Sequence, residues 1–229
     1  MESLQKVNKK DSALLKRIDM MGEDHVGSAA ATPIRDDAFA ITDDEKIDRI
    51  ESHFYEIMSI LGLDMTDDSL MGTPRRVAKM YVREIFGGLS PDSKPQPTHF
   101  ANHYNYRQML VERDIPVHST CEHHFQPIIG KAHVAYIPGS RVIGLSKLNR
   151  IVDYYSRRPQ VQERLTIQVA NELKRVLNTE DVAVYIDAKH MCVEARGIKH
   201  SGCSTSTAEY SGKFLNENVR AEFLSAFGQ

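Results

Sequence analysis

The chain has 229 residues, of which 41% are apolar and 26% charged, and its formal net charge is -2. This composition suffices for a hydrophobic core, and the balanced charge gives no reason to expect a nucleic-acid or membrane partner. No run of about 18 apolar residues predicts a transmembrane helix, and the first residues lack the apolar core of a signal peptide. Three cysteines do not make a disulfide framework, so we expect a cytoplasmic protein.

Residues 1–40 are polar and mixed in charge, and this composition predicts a flexible N-terminal tail. The first helix is predicted to begin just after it, because Thr42 and Glu45 match the capping-box pattern. Apolar residues then recur at helical spacing up to Gly62, which is a typical helix stop. The predicted helix is therefore amphipathic, with one face available for packing.

A second helix is predicted in "TPRRVAKMYVREIFGG", with Thr73 as its N-cap, Pro74 in its first turn, and Gly87 and Gly88 at its end. The stretch "SPDSKPQPTHF" that follows is rich in proline, which is typical of a linker. We therefore assign residues 41–98 to an N-terminal helical region with its linker.

Residues 99–229 are predicted to form the main domain. "QMLVERDIPVHS" and "GKAHVAYIPG" predict strands, whereas "LSKLNRIVDYYSRRP" and "PQVQERLTIQVANELKRVL" predict helices. "DVAVYIDAKHMCV" predicts a strand, "GIKHSGCSTSTAEYSGKF" an extended segment, and "NENVRAEFLSAF" a short closing helix. Strands followed by two helices and further strands indicate an α+β fold with an antiparallel sheet that helices cover on one face.

The stretch "STCEHHF" places two candidate metal ligands three residues apart, Cys121 and His124. A catalytic zinc ion usually takes three such protein ligands and keeps its fourth position open. "KHMCVEARG" supplies a third candidate, Cys192, and we expect His190 beside it, because residues two apart on a strand face the same side. From spacing alone, burial of Cys121 and Cys192 as apolar residues explains the pattern equally well. Cys203 is a less favoured candidate for a fourth ligand.

A second set of candidates is cationic or hydroxylic. Arg76 and Lys79 share one face of the second predicted helix. Ser146, Lys147 and Arg150 lie at the start of a later helix, where backbone N–H groups and cations suit a phosphate group. Taken singly, each of these charges is better explained as a solvated surface residue.

Five segments together resemble the GTP cyclohydrolase I family: "TPRRVAKMYVREIFGGL", "STCEHHF", "GLSKLNRIV", "RPQVQERLT" and "HMCVEARGI". The resemblance runs from about Asp44 to the C-terminus. It implies zinc-dependent hydrolysis of GTP at C8, formate release, ribose rearrangement and ring closure to 7,8-dihydroneopterin triphosphate, the first step of folate and pterin biosynthesis. It also implies the T-fold, an antiparallel sheet backed by two helices and preceded by an N-terminal helical region, in a homodecamer of two pentameric rings.

The resemblance further implies a role for each candidate residue. The implied ligands of one zinc ion per subunit are Cys121, His124 and Cys192. The implied catalytic residues are two proton-handling histidines and a serine near the ribose: His123, His190 and Ser146. The implied guanine-binding residues are Glu163 and its neighbour Gln162. The implied triphosphate contacts, the last two reaching in from another subunit, are Lys147, Arg150, Arg196, Arg76 and Lys79.

Two other functions are consistent with parts of the sequence. A T-fold protein that binds a purine or pterin without turnover is disfavoured, because the ligands, histidines and cations are all present. A T-fold enzyme that acts on a 7-deazapurine would need a free cysteine nucleophile and no metal. Cys121 instead has a histidine at metal-ligand spacing and a matching distant cysteine, so the sequence favours zinc-dependent hydrolysis.

Overall fold

The computed structural model describes residues 29–96 and 99–229, and the chain from Ala31 to Gln229 forms one compact unit. Most of the predicted flexible tail lies outside the described residues, and its described part contains turns but no helix or strand. The division of the chain at residues 40 and 98 stays a prediction. None of the helices in the described ranges combines the length and apolarity that a membrane crossing requires.

The first helix, α1 (Asp43–Ile60), begins and ends as its sequence predicts. The hydroxyl of Thr42 accepts a hydrogen bond from the backbone N–H of Glu45, and the Glu45 carboxylate accepts one from the backbone N–H of Thr42. This capping box satisfies two donors at the helix start. Gly62 follows the C-cap with a φ of 85°, a left-handed conformation that favours glycine.

The second helix, α2 (Thr73–Lys79), has Gly72 as its N-cap, so the threonine predicted as the cap is already helical. The helix continues as a π-helical segment, Met80–Ile85. Two 3₁₀ turns follow at Gly87–Leu89 and Pro91–Ser93. The π-helical segment has no simple sequence signal, because its wider hydrogen-bond pattern depends on local packing.

The end of the second predicted helix and the predicted linker that follows it are attached to the main domain by specific contacts. The backbone N–H of Gly88 donates to the carbonyl of Arg157 at 3.0 Å. A Cβ atom at Gly88 would collide with the carbonyl oxygen of Tyr154, so this close approach requires glycine. Further along, Lys94 forms an ion pair of 2.9 Å with Glu172, which is buried. The chain from Gly88 to Lys94 therefore follows a defined path across two helices.

The strands are β1 (His99–Ala101), β2 (Leu110–Cys121), β3 (Pro127–Tyr136), β4 (Arg141–Ile143), β5 (Pro159–Gln160), β6 (Val182–His190) and β7 (Thr205–Tyr210). The main sheet has five of them in the order β5-β2-β3-β6-β7, with β2 and β5 parallel and the other neighbours antiparallel. The short strands β1 and β4 form a separate antiparallel pair. The predicted α+β class with a largely antiparallel sheet is confirmed.

One face of this sheet packs against two helices, α3 (Leu145–Ser156) and α4 (Gln162–Leu177). On α4, the side chains of Leu165, Val169 and Leu173 are buried and lie one helical turn apart. They form one apolar stripe, as the helical periodicity of this segment predicts, and they meet the buried face of β2, β3 and β6. This layer fixes the ends of the strands relative to the start of α4.

Strand β6 ends at His190 and leads directly into a one-turn helix, α5 (Met191–Glu194). The prediction that the strand continues past Cys192 is therefore wrong. His190 and Cys192 do not lie on one face of a strand, because the backbone turns into α5 between them. The pairing of β6 with β3 ends at His190. The helical turn that follows satisfies the backbone groups of Met191–Glu194 locally.

The last helix, α6 (Glu217–Ser225), follows a 3₁₀ turn and packs against the opposite face of the sheet. Successive strand residues face opposite sides, so Val134 belongs to the main core whereas Ala135 belongs to a second cluster. The fully buried aromatic side chains of this cluster are Phe214 and Phe223. The sequence predicts helices on one face, and the structure adds this smaller layer on the other.

Candidate active site

The stretch "STCEHHF" ends β2 and forms the turn before β3. The backbone N–H of Cys121 donates to the carbonyl of Gln126 at 2.8 Å, and the N–H of Phe125 donates to the carbonyl of Cys121 at 2.9 Å. Phe125 has a φ of 51°, a value that few non-glycine residues adopt. The turn is therefore closed at both ends and contains a strained residue next to the candidate ligands.

Three candidate metal ligands meet beside this turn. The Sγ atoms of Cys121 and Cys192 and a ring nitrogen of His124 all lie within 4.8 Å of one another. Cys121 comes from the end of β2, His124 from the turn and Cys192 from α5. Two thiols and an imidazole are a donor set that fits zinc, and three such ligands leave a fourth position for a reactant.

Strand pairing explains why ligands 71 positions apart meet. Strand β3 lies between β2 and β6, and Ile128 near its start pairs with Ser119 on one side and His190 on the other. The ends of β2 and β6 are therefore adjacent to the same point of β3. Cys121 and Cys192 each lie two residues after these paired positions.

The electrostatics of the two cysteines also suit a cation. Burial raises the pKa of Cys192 to about 11, and the neighbouring Cys121 acts in the same direction. Arg196 acts in the opposite direction, so its charge lies near this sulfur. Two thiolates this close in a buried site are unfavourable unless a cation compensates their charge. The donor set therefore fits a metal ion better than it fits a free nucleophile.

His123 lies beside the three ligands. Its Nδ1 is 3.8 Å from the Sγ of Cys121, and its Nε2 is 3.7 Å from a carboxylate oxygen of Glu122. It is not part of the group whose ligand atoms lie within 4.8 Å of one another. This placement is compatible with a proton-handling role next to the metal position.

Sequence reasoning missed the residue that anchors the turn, Arg164. Its guanidinium forms two hydrogen bonds with the Glu122 carboxylate, at 2.7 and 2.9 Å. The Arg164 side chain is only 3% exposed, and that of Glu122 is 18% exposed. A bidentate pair of this kind fixes both position and orientation. The available sequence signal was a charged residue, Arg164, next to the apolar stripe of α4. Its partner Glu122 lies 42 positions away and could not be identified from the sequence.

A second group of candidates lies where β6 ends against the start of α4. The Nε2 of His190 is 2.8 Å from the Oε1 of Gln162, whose side chain is buried. The side chain of the next residue, Glu163, is exposed. Burial lowers the pKa of His190, whereas the charge of Glu163 acts in the opposite direction. The carboxylate is therefore close enough to act on the imidazole.

The remaining predicted site residues lie elsewhere in the chain. Ser146, Lys147 and Arg150 occupy the first turns of α3, and neither cation forms an ion pair with a described carboxylate. On α2, Arg76 donates to Thr73 Oγ1 at 2.8 Å. Lys79 is the last residue of the same helix. The chain thus brings the candidate ligands and histidines together near the ends of β2 and β6, whereas these cations lie on α2 and α3.

Comparison with known proteins identifies the family. A family model described as GTP cyclohydrolase I matches residues 50–228. The chain belongs to the GTP cyclohydrolase I family. This membership confirms the resemblance found in the sequence and the assignment of the chain as an enzyme of that kind.

Bacterial members of the GTP cyclohydrolase I family match most of the chain. A GTP cyclohydrolase 1 from Flavobacterium johnsoniae is 58% identical over 90% of this chain and 93% of its own length. A GTP cyclohydrolase 1 from Aeromonas salmonicida is 52% identical over 82% of this chain and 86% of its own length. One from an Enterobacter species is 47% identical over 93% of this chain and 97% of its own length. A solved archaeosine synthase QueF-Like shares 20% identity at a TM-score of 0.37, over 47% of this chain and 94% of that one.

Proposed function

We propose that the chain is a zinc-dependent GTP cyclohydrolase I with the T-fold. In this proposal it opens the imidazole ring of GTP at C8, releases formate and forms 7,8-dihydroneopterin triphosphate. The observation that carries the proposal is the group of Cys121, His124 and Cys192, whose ligand atoms lie within 4.8 Å of one another beside two histidines. The sheet with α3 and α4 on one face supports the fold assignment.

Cys121, His124 and Cys192 would hold one zinc ion per subunit. When bound, zinc supplies Lewis acidity that lowers the pKa of a water molecule towards about 7. His123 is not a fourth ligand in this proposal, because hydrolysis needs that position for a reactant. Glu122 and Arg164 keep the turn in place and so orient His123 and His124.

The guanine base would bind at the start of α4. A carboxylate accepts hydrogen bonds from the N–H groups of guanine, and the exposed Glu163 has this capacity. Because Glu163 also acts on the imidazole of His190, a base held by the carboxylate lies near that ring. His190 would then donate a proton to N7 and make C8 more electrophilic. His123 would handle a second proton beside the metal position.

The triphosphate would bind to cations from more than one subunit. Lys147, Arg150 and Arg196 would come from two elements of one chain, and Arg76 and Lys79 from a neighbour. Exposed apolar side chains support an assembly, because patches of this kind mark protein interfaces. Between residues 60 and 71, the large apolar side chains that are more than half exposed are Ile60, Leu61 and Met71. A homodecamer of two pentameric rings is the proposed form.

Incubation of the purified protein with GTP tests the proposed function. We expect formate, a fluorescent pterin after oxidation, and about one zinc per chain, as the three-ligand site implies. A metal-free preparation that is fully active would favour the cysteine-nucleophile alternative. Zinc-loaded, assembled protein that yields neither product would refute the hydrolytic assignment.

A further inference from the structure

Gln162 is a buried amide at the first position of α4, with 1% of its surface exposed. Its Nε2 lies 2.7 Å from the carbonyl oxygen of Thr205, 3.1 Å from that of Ile186 and 3.2 Å from the hydroxyl of Thr207. The amide therefore ties the start of α4 to both β6 and β7. Its remaining polar atom, Oε1, lies 2.8 Å from the Nε2 of His190.

These contacts determine which way the amide points. Backbone carbonyl oxygens only accept hydrogen bonds, so the amide nitrogen must face Thr205 and Ile186. A flipped amide would place Oε1 against two carbonyl oxygens and leave two buried donors facing His190. Since Oε1 only accepts, the imidazole Nε2 opposite it must carry the hydrogen.

We propose that Gln162 is a positioning residue that holds His190 with its Nε2–H bond directed at the amide oxygen, so that Nδ1 exchanges the proton with the substrate. The proposal rests on the proposed function, in which His190 handles a proton. In the transfer, the Nδ1–H bond of the imidazolium breaks, an N7–H bond forms on the guanine, and His190 becomes neutral. Water then returns a proton to Nδ1, while the Nε2–H bond persists throughout.

The network around the amide makes this orientation rigid. The Thr166 hydroxyl donates to the backbone carbonyl of Gln162 at 2.9 Å, and it lies 2.7 Å from the Thr207 hydroxyl. The ring orientation of His190 is thus set before a substrate binds, which reduces the cost of reaching a reactive geometry. The guanine contact expected for the Gln162 side chain stays a prediction, since the contacts present here are all with the protein.

Two substitutions separate positioning from simple packing. Gln162→Met keeps the length of the side chain and removes the acceptor opposite His190. Gln162→Glu keeps an acceptor there, and burial favours its neutral acid, which still donates towards Thr205. Thr207→Val is the matched control, because it removes another hydrogen bond of the same amide and keeps the Gln162 oxygen opposite His190. The amide nitrogen keeps its two carbonyl acceptors in this control.

The test uses full-length, zinc-loaded protein and measures kcat, KM for GTP, zinc content and melting temperature. We expect Gln162→Met to lower kcat by about tenfold or more with zinc content and KM little changed, as loss of aligned acid catalysis predicts. Gln162→Glu should recover most of the rate, and Thr207→Val should keep kcat within about twofold of the parent even where it melts lower. Equal losses of kcat in Gln162→Met and Thr207→Val would overturn the proposal.

A spectroscopic measurement keeps the test independent of folding defects and of activity. Solid-state ¹⁵N spectra of histidine-labelled parent protein, assigned by comparison with His190→Ala, report which ring nitrogen carries the hydrogen. We expect the Nε2–H tautomer, and an Nδ1–H tautomer would overturn the proposal even if Gln162→Met does not fold. Parent protein that shows the expected tautomer but releases no formate from GTP would refute the proposed function and leave the orientation intact.

Discussion

Breaking the buried pair between Arg164 and Glu122 should lower the free energy of unfolding, by an amount that depends on which partner is replaced. The guanidinium is 3% exposed and makes hydrogen bonds of 2.7 and 2.9 Å, whereas the carboxylate is 18% exposed. Removing one partner of a buried pair costs about 3–5 kcal/mol, because the other charge loses its compensation. Glu122→Gln should lie near the upper end of that range, since Arg164 cannot lose its proton. Arg164→Met should lie lower, because the more exposed Glu122 carboxylate can reach water.

Urea unfolding at a fixed subunit concentration measures these changes, and the double variant completes a thermodynamic cycle. The double variant should be more stable than the sum of the two single losses predicts, by about 2 kcal/mol or more, because neither charge is left behind. Zinc content should fall in both single variants if the pair orients His124. A coupling energy near zero would show that the pair does not anchor the turn.

The other predictions concern the histidines and one glycine. His124→Ala should lose zinc, whereas His123→Ala should keep zinc and lose about 10²–10⁴-fold in kcat, as proton-transfer residues do; equal zinc loss in both, by metal analysis, would contradict this division. Gly88→Ala should lower the melting temperature, because the new Cβ collides with the carbonyl of Tyr154, and an unchanged value would show that the segment around Gly88 can move aside. Burial lowers the pKa of His133 from 6.5, so the folded state binds this proton less readily and its stability should fall as the pH drops below about 6.5. In urea titrations, the free energy of unfolding of His133→Gln should fall less over that pH range than that of the parent. An identical dependence on pH in both proteins would exclude His133 as the cause of the stability loss.

The parts of the fold that the sequence predicted are those with local causes. The capping box at Thr42 and the stop at Gly62 need only neighbouring residues, and both are present. The stripe on α4 follows from helical periodicity alone. The end of β6 was predicted wrongly because "HMCV" has strand-like composition, whereas the turn into α5 depends on where its pairing with β3 stops.

The site residues also divide into those that a local sequence signal predicts and those that only tertiary contacts bring together. Cys121 and His124 are three positions apart, so their proximity was predictable, but spacing alone gave no preference for a metal. Cys192 joins them only because β3 pairs with both β2 and β6, and this long-range pairing cannot be read from local sequence. The Arg164–Glu122 pair depends on how α4 lies across the strand ends and had no local signal.

Zinc-edge X-ray absorption of the purified protein tests the assigned ligand set most directly. Two sulfur ligands at about 2.3 Å and nitrogen or oxygen ligands at about 2.0–2.1 Å are expected from Cys121, Cys192 and His124 with one open position. Cys192→Ser should leave one sulfur ligand, and Cys203→Ser should leave the spectrum unchanged. Three sulfur ligands in the parent protein, or a spectrum that changes only in Cys203→Ser, would contradict a three-residue catalytic zinc site.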